Sequence, residues 1–215
     1  RTPLTRLRNH AEEALRAAGD EAAYRAALVR TLEESDGLIR IFDALLMIAR
    51  AEAGADRAGV GRVDVGEAAA DVVELYEPLA EEKGFALSLS CEPGLALEGR
   101  RELIGQAIAN LIDNALKYGA APPGAGRGNS IAIVARREGA DVVIEVADRG
   151  PGVSPEDRER VFDRFVRLES ARSRPGSGLG LSLVAAVARL HGGSVKLEDN
   201  APGLKVRLIL PAGAA

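Results

Sequence analysis

The sequence predicts an α+β protein in which a helical hairpin precedes a second unit of mixed helices and strands. Through residue 53, apolar residues recur at three- and four-residue steps, as on the buried face of an amphipathic helix. Beyond residue 62, helical patterns alternate with segments in which apolar and polar residues take turns, which is typical of strands. A glycine-rich stretch separates the two patterns. We therefore predict a hairpin over residues 1–53, a linker over 54–61 and a second unit over 62–215.

The hairpin is predicted to need a partner. Gly19 and Asp20 interrupt the helical pattern, and the second helix carries an apolar stripe from Leu28 to Ala49. Two helices alone bury too little surface to form a stable domain. A second copy of the hairpin would complete a four-helix bundle, so we expect a homodimer.

Composition limits the possible functions. The chain has 215 residues, of which 47% are hydrophobic and 28% charged, as in folded globular proteins. A net charge of -4 gives no reason to expect nucleic-acid binding. The single cysteine, Cys91, excludes an internal disulfide and a multi-cysteine zinc site. No apolar run approaches the ~18 residues of a membrane-spanning helix, so none is expected in this sequence.

The second unit is predicted to contain several helices around a largely antiparallel sheet. Helical patterns cover residues 67–83, 100–118 and 179–191, and residues 154–165 begin like a helix with Ser154 as N-cap. Strand patterns cover residues 63–65, 85–89, 131–137, 142–147, 194–198 and 205–210.

Three polar side chains share one face of the predicted helix over 100–118. Asn110, Asn114 and Lys117 are four and three residues apart. An asparagine carbonyl is a suitable Mg²⁺ ligand, and a lysine meets phosphate as a point charge. The alternative is an ordinary solvated helix face.

A carboxylate and two glycines follow the strand predicted over 142–147. The run from Asp148 through Gly150 to Gly152 would place a carboxylate at the floor of a pocket, with backbone close to a flat ligand. A carboxylate oxygen accepts a hydrogen bond from an exocyclic amine. The alternative is a simple turn, in which Asp and Gly are common.

Glycines also precede the helix predicted over 179–191. Backbone N–H groups at a glycine-rich helix N-terminus bind phosphate, and Gly176, Gly178 and Gly180 provide such a stretch. The dinucleotide-binding fingerprint requires a strand immediately before the glycines. A polar loop precedes them here, so this pattern is not that fingerprint.

In this order and spacing, the three segments resemble the N, G1 and G2 boxes of the histidine kinase catalytic domain. The resemblance implies that the second unit is a two-layer α/β sandwich with the Bergerat fold of the ATPase superfamily shared with gyrase, Hsp90 and MutL. Residues 161–165 resemble the family's F box, and residues 1–8 resemble the stretch that follows the phosphoacceptor histidine in the dimerisation domain. Residues 45–52 resemble the end of that domain's second helix. The chain is thus identified as a member of the sensor histidine kinases of two-component systems.

The resemblance implies ATP and Mg²⁺ as cofactors, with a role for each matching residue. Asn114 would bind Mg²⁺ with Asn110 beside it, and Asp148 would read the adenine amine. The motifs also imply that Lys117 contacts phosphate, that Tyr118 lies near adenine, and that Gly150 and Gly152 lie beside Asp148. They further imply a mobile lid over 166–178. The nucleotide contacts in and beside this lid would be Phe165, Gly176, Ser177, Gly178, Leu179 and Gly180. Arg164 and Arg167 would reach the γ-phosphate from that lid.

Two departures from the family pattern accompany the match. His-Asp/Glu-Leu usually precedes Arg-Thr-Pro in the family, so the acceptor histidine would fall three residues before Arg1. His10 lies in the wrong context to replace it. Arg100 stands where many members have an aspartate ahead of the helix.

As a kinase core, the chain would transfer the γ-phosphoryl group of ATP to a histidine and then to the aspartate of a response regulator. Thr2 would position water for a phosphatase reaction that removes the phosphoryl group from that aspartate. The family implies the cytoplasmic portion of an inner-membrane sensor, with any membrane segment upstream. Two alternatives are a non-catalytic dimerisation scaffold and a hydrolytic ATPase of the same superfamily. The intact motifs argue against the scaffold, and the Arg-Thr-Pro hairpin argues against the hydrolase.

Overall fold

The computed structural model describes residues 2–16, 20–52, 60–121, 128–168 and 178–213. It confirms the α+β prediction. Contacts divide the chain into two compact units, residues 1–46 and 47–215. Most of the predicted linker over 54–61 lies outside the described residues, so the predicted domain bounds stay a prediction. Within the described ranges, no helix combines the length and apolar character needed to cross a membrane.

The N-terminal unit is a hairpin of two helices, α1 (Thr2–Arg16) and α2 (Glu21–Glu52). α2 begins where Asp20 caps it, because the Asp20 Oδ1 atom accepts hydrogen bonds of 3.1 Å from the N–H groups of both Ala22 and Ala23. Ala14 and Ala27 are buried. Such small side chains allow close approach of the helices, and the Arg30 guanidinium adds a 2.9 Å ion pair to Glu13.

The second unit is built on a five-stranded sheet. Its elements in chain order are β1 (Gly61–Asp64), α3 (Val65–Glu82), β2 (Phe85–Cys91), β3 (Ala96–Gly99), α4 (Arg101–Tyr118), β4 (Asn129–Glu138), β5 (Asp141–Ala147), α5 (Gly180–Leu190), β6 (Ser194–Asp199) and β7 (Leu204–Pro211). The strand order is β2-β4-β5-β7-β6. Only β2 and β4 pair in parallel, so the expectation of a largely antiparallel sheet is confirmed.

One face of this sheet is apolar and the other is charged. Strand alternation turns Ile133 and Ile144 to the core, where they are fully buried. The opposite face carries Arg136, Glu145 and Arg207. Arg136 donates two hydrogen bonds to Glu145, of 2.9 and 2.8 Å, and they hold the pKa of that carboxyl below its ordinary value. Pairing allows the Glu145 carboxylate to remain charged although it is buried.

Two segments differ from the sequence-based expectation. Residues 154–165 form two short 3₁₀ turns, Pro155–Asp157 and Arg160–Phe162, so the predicted helix start was wrong. The Ser154 hydroxyl donates to the Asp157 carboxylate at 2.9 Å instead of accepting a backbone N–H as a helix cap does. Strand β3 was not predicted, and it pairs with β1 in a separate two-stranded sheet.

Helices α3 and α4 begin differently. α3 has a side-chain cap, since the Asp64 Oδ1 atom accepts the Glu67 N–H at 3.0 Å. Arg100 occupies the same position before α4 in an extended conformation and makes no capping hydrogen bond. Its cationic side chain also lies at the positive end of the helix dipole. The departure noted in the sequence thus leaves α4 without a side-chain cap.

We expect Arg100→Asp to raise the free energy of unfolding by about 1 kcal/mol, because it adds a cap and reverses an unfavourable charge. Arg100→Ala separates the two effects, since it removes the charge without adding a cap. Urea unfolding of both variants and of the wild-type protein measures the difference. An aspartate variant no more stable than the alanine variant would contradict the capping argument.

Candidate functional site

The first part of the site forms where α5 begins against α4. A Cβ at Gly180 would lie 3.2 and 3.3 Å from the two amide atoms of Asn114 and 3.4 Å from the Asn110 Oδ1 atom. These distances are tighter than ordinary contacts, so glycine allows both amides to approach the start of α5. The structure therefore brings together Asn110, Asn114 and Gly180, which the sequence places up to 70 residues apart.

The two asparagines differ in what their side chains bind. Asn110 donates from Nδ2 to the Gln106 carbonyl oxygen at 2.8 Å, which orients its amide. No hydrogen bond joins the half-buried Asn114 amide to any other described residue. Leu179 precedes α5 and provides no side-chain cap, and no other described side chain bonds the N–H groups of its first turn. An amide oxygen and uncapped helical N–H groups thus lie side by side, an arrangement suited to a cation and an anion together.

The second part of the site is Asp148, which follows β5 and is 8% exposed. Its Oδ1 atom accepts hydrogen bonds from the N–H groups of Gly150 at 2.8 Å and Leu204 at 3.1 Å. Its backbone N–H donates to the Leu204 carbonyl oxygen at 2.9 Å. Among the described residues, none donates a hydrogen bond to Oδ2. One carboxylate oxygen is fixed, and the other remains an acceptor for a ligand.

Burial is the main influence on the charge of Asp148. Desolvation raises the pKa of its carboxyl above the ordinary value, and the hydrogen bonds from Gly150 and Leu204 partly oppose this shift. A raised carboxyl pKa in a partly enclosed site is common where a group serves function more than stability.

Two glycines allow the end of α4 to lie in close contact with Asp148 and the residues that follow it. A Cβ at Gly119 would lie 2.5 Å from both the Asp148 Cβ and the Ala115 carbonyl oxygen. A Cβ at Gly150 would overlap the Tyr118 carbonyl oxygen. The close approach that the sequence predicts at Gly150 is therefore present, whereas the need for glycine at 119 was missed.

The turn between β6 and β7 covers the other side of Asp148. The Asn200 side chain donates to the Asp148 carbonyl oxygen at 2.7 Å. A Cβ at Gly203 would overlap the same oxygen, and one at Gly152 would lie 3.1 Å from the Gly203 carbonyl oxygen. No sequence motif pointed to Asn200 or Gly203. An Asn followed three residues later by a Gly indicates a turn, but not the strand end against which it packs.

Phe165, which precedes the predicted lid, contacts Gly178 at the end of the lid, and the Phe165 backbone is strained. Phe165 has φ of 64°, a conformation uncommon for a bulky residue, and its N–H donates to the Gly178 carbonyl oxygen at 3.0 Å. A Cβ at Gly178 would lie 2.8 Å from the Phe165 carbonyl carbon. The Phe165 side chain is 57% exposed, so packing alone gives no reason for the strain.

Comparison with known proteins decides the family. The family model described as "Histidine kinase-, DNA gyrase B-, and HSP90-like ATPase" matches residues 99–214, more than half of the chain. The chain belongs to this family. The matched range contains both parts of the site, so the ATPase-superfamily resemblance inferred from the sequence motifs is confirmed.

Curated relatives extend the match to the N-terminal unit of this ATPase-family chain. Sensor-like histidine kinase SenX3 of Mycobacterium tuberculosis is 33% identical over 215 residues, covering 99% of this chain and 51% of that protein. Probable sensor protein PcoS of Escherichia coli is 33% identical, covering 98% of this chain and 44% of that protein. The chain thus spans about half the length of the relatives it matches, and the sensor histidine kinase resemblance is confirmed.

Solved structures support the fold. The full-length histidine kinase ShkA in complex with AMPPNP is 26% identical, covers 90% of this chain and 40% of that chain, and has a TM-score of 0.74. The Acinetobacter baumannii histidine kinase AdeS is 19% identical with a TM-score of 0.77 and covers 100% of this chain and 97% of that chain. The second similarity concerns the fold alone.

The remaining site residues implied by the family differ in how far they are exposed to solvent. Lys117 forms an ion pair with Asp113, one turn earlier on α4, and Tyr118 is half-buried at the helix end. Leu179 is 2% exposed, so its side chain belongs to the core. Arg164 is exposed and Arg167 half-buried.

Three of the implied residues cannot be placed in the same way. Gly176 and Ser177 lie outside the described residues, as does most of the predicted lid. Thr2 begins α1, but its side chain lies outside the described part of the structure.

Proposed function

We propose that this chain is the kinase core of a two-component sensor histidine kinase and binds MgATP where α5 begins against α4. The contact of Gly180 with the amides of Asn114 and Asn110 carries the proposal. It places an oxygen ligand suited to Mg²⁺ beside a helix N-terminus, where phosphate groups bind. The alternative of a solvated helix face gives no reason for this contact.

In this proposal the phosphates lie at the start of α5. Backbone N–H groups of the first turn stabilise their negative charge, and Asn114 would hold Mg²⁺ through its amide oxygen. Mg²⁺, when bound, would neutralise negative charge on the phosphates. Lys117 exchanges its ion pair with Asp113 for a phosphate oxygen, a contact that its place near the end of α4 allows.

Adenine is recognised by Asp148. The Oδ2 atom accepts a hydrogen bond from the exocyclic amine, because Oδ1 is already occupied by two backbone N–H groups. Tyr118 packs near the ring. Gly150 and Gly152 leave room for the nucleotide beside the backbone.

The reaction is transfer of the γ-phosphoryl group to a histidine nitrogen. The bond from phosphorus to the ADP oxygen breaks and a phosphorus–nitrogen bond forms, with Arg164 and Arg167 stabilising the transferred charge. His191 is unsuited as acceptor, since its Nε2 atom accepts the Arg100 N–H at 3.1 Å and its Nδ1 atom lies 2.8 Å from the Val187 carbonyl oxygen. We place the acceptor upstream of Arg1, as the family pattern implies, with an adjacent acidic residue taking its proton.

The exposed face of α2 supports a homodimer. Five of its exposed large apolar side chains, 39–64% exposed, are spaced by four, seven, three and four residues, which places these five on one face of the helix. They are Leu28, Leu32, Ile39, Phe42 and Leu46. A second hairpin covering this stripe would form the four-helix bundle expected from the sequence.

The further partner is the receiver domain of a response regulator, whose aspartate takes the phosphoryl group. A relative from Mycolicibacterium vanbaalenii, 32% identical over 220 residues, is named histidine-protein kinase/phosphatase MprB. That name favours a phosphatase reaction in which Thr2 positions water. We place the chain on the cytoplasmic side of an inner-membrane sensor, with its sensing parts beyond these residues.

Calorimetric titration of the chain with MgADP tests the nucleotide site. We expect saturable binding that weakens when EDTA removes Mg²⁺, because the Asn114 amide then loses the ion it shares with phosphate. Incubation with labelled MgATP should produce no acid-labile phosphate on the chain and little free phosphate. Absence of binding would favour the scaffold alternative, and steady release of phosphate would favour the hydrolase.

A further inference from the structure

The turn between β6 and β7 lies against the residue proposed to read adenine, although it belongs to none of the recognised motifs. Asn200 and Gly203 are 52 and 55 residues beyond Asp148 in the chain. The Asn200 side chain nevertheless donates to the Asp148 carbonyl oxygen at 2.7 Å, and Gly203 packs against the same oxygen. The turn is held in shape by a 3.1 Å hydrogen bond from the Asn200 N–H to the Gly203 carbonyl oxygen.

Three groups of Asp148, its N–H, its Oδ1 atom and its carbonyl oxygen, are held by hydrogen bonds to this turn or to the start of β7. Its N–H and its Oδ1 atom bond the backbone of Leu204, the first residue of β7. Its carbonyl oxygen accepts only the Asn200 side chain among the described residues. Asn200 therefore fixes the peptide plane between Asp148 and Arg149, the one backbone group of Asp148 that the sheet does not hold.

An asparagine suits this position for chemical reasons. A carbonyl oxygen needs a donor, and the amide nitrogen of asparagine donates without adding charge beside the Asp148 carboxylate. Aspartate has the same shape but no donor when ionised, and it would add a second negative charge. Alanine would leave the carbonyl without its partner.

We propose that Asn200 is a positioning residue that sets selectivity for the adenine amine by fixing Asp148. The orientation of the Asp148 peptide determines where the Oδ2 atom lies relative to the base. The inference rests on the proposed nucleotide-binding function. It goes beyond that function, because it assigns base selectivity to a turn outside the nucleotide motifs.

Two ligands separate selectivity from general binding. ADP carries the exocyclic amine, and purine riboside 5′-diphosphate lacks only that group. Calorimetry with Mg²⁺ should show that Asn200→Ala lowers ADP affinity about fivefold, the order expected for one hydrogen bond, and leaves the affinity for the purine analogue unchanged. Asp199→Asn is the matched control at the end of β6, next to the turn, because the Asp199 carboxylate pairs with Arg158 and not with Asp148.

A double-mutant cycle identifies the route of the effect. If Asn200 acts through Asp148, Asn200→Ala should change the ADP-to-analogue ratio in the wild-type background and not in the Asp148→Asn background. If alanine unfolds the domain, Asn200→Gln, which keeps an uncharged amide but displaces it by one methylene, carries the same measurement. An unchanged ratio, or an equal effect in both backgrounds, would overturn the inference. A wild-type protein that binds neither ligand would instead refute the proposed function.

Discussion

Replacing Asp148 by asparagine is expected to lower ADP affinity by about tenfold or more, the range of a hydrogen bond to a charged group. Asparagine can keep the two backbone hydrogen bonds at Oδ1. Its amide nitrogen would then stand where Oδ2 is, so a donor would face the donor of the adenine amine. Calorimetric titration of both proteins with MgADP measures the loss. Unchanged affinity would mean that Asp148 only shapes the turn after β5.

The same substitution is expected to increase stability at neutral pH. Folding raises the pKa of the Asp148 carboxyl, so its protonated form is favoured in the folded state. The associated stability is present in acid, below the unfolded pKa, and is lost as pH rises through the folded pKa. At neutral pH the wild-type protein therefore holds a buried charge that the asparagine variant lacks.

Urea unfolding at two pH values checks this stability prediction. The advantage of Asp148→Asn should be present at pH 7 and should vanish at about pH 3, below the ordinary pKa of an aspartate, where the carboxyl is protonated in both states. Asp141→Asn, the same change at the other end of β5, is the control and should alter neither stability nor affinity. A variant less stable than the wild-type protein at pH 7 would contradict the prediction.

Local patterns predicted those site residues whose roles are indicated by neighbours only a few positions away in the sequence. The spacing of Asn110 and Asn114 on one helix face and the position of Asp148 after a strand needed no knowledge of the fold. The family resemblance then assigned their roles. The pair between Lys117 and Asp113 was also within reach of the sequence, since residues four apart on a helix are neighbours.

Residues whose roles depend on distant contacts could not be found in this way. Gly203 is required because a Cβ would overlap the Asp148 carbonyl oxygen, and only the pairing of β5 with β7 brings them together. Strand β3 has four residues, too few for a clear alternation. The helix predicted from residue 154 failed because the Ser154 side chain bonds another side chain, a choice that the cap pattern does not reveal.

Replacing Gly119 by alanine is expected to reduce both stability and nucleotide affinity. The backbone at Gly119 has φ of -85°, which alanine adopts readily, so the effect is one of space and not of conformation. The new Cβ would lie 2.5 Å from the Asp148 Cβ, and the end of α4 must move away from Asp148. Overpacking of this kind costs about 1–3 kcal/mol. Nucleotide affinity should fall with it, because the displaced contact joins the two parts of the site.

Gly105→Ala is the matched control, because it makes the same substitution inside α4, the helix that Gly119 follows. A Cβ at Gly105 would meet only the Val72 side chain, at an ordinary 3.7 Å. Glycine inside a helix is less favourable than alanine by about 1 kcal/mol, so this variant should be more stable than the wild-type protein and bind ADP equally well. Urea unfolding and calorimetry on both variants should therefore give stability changes of opposite sign. If Gly119→Ala were as stable as Gly105→Ala, α4 would not depend on close contact with Asp148.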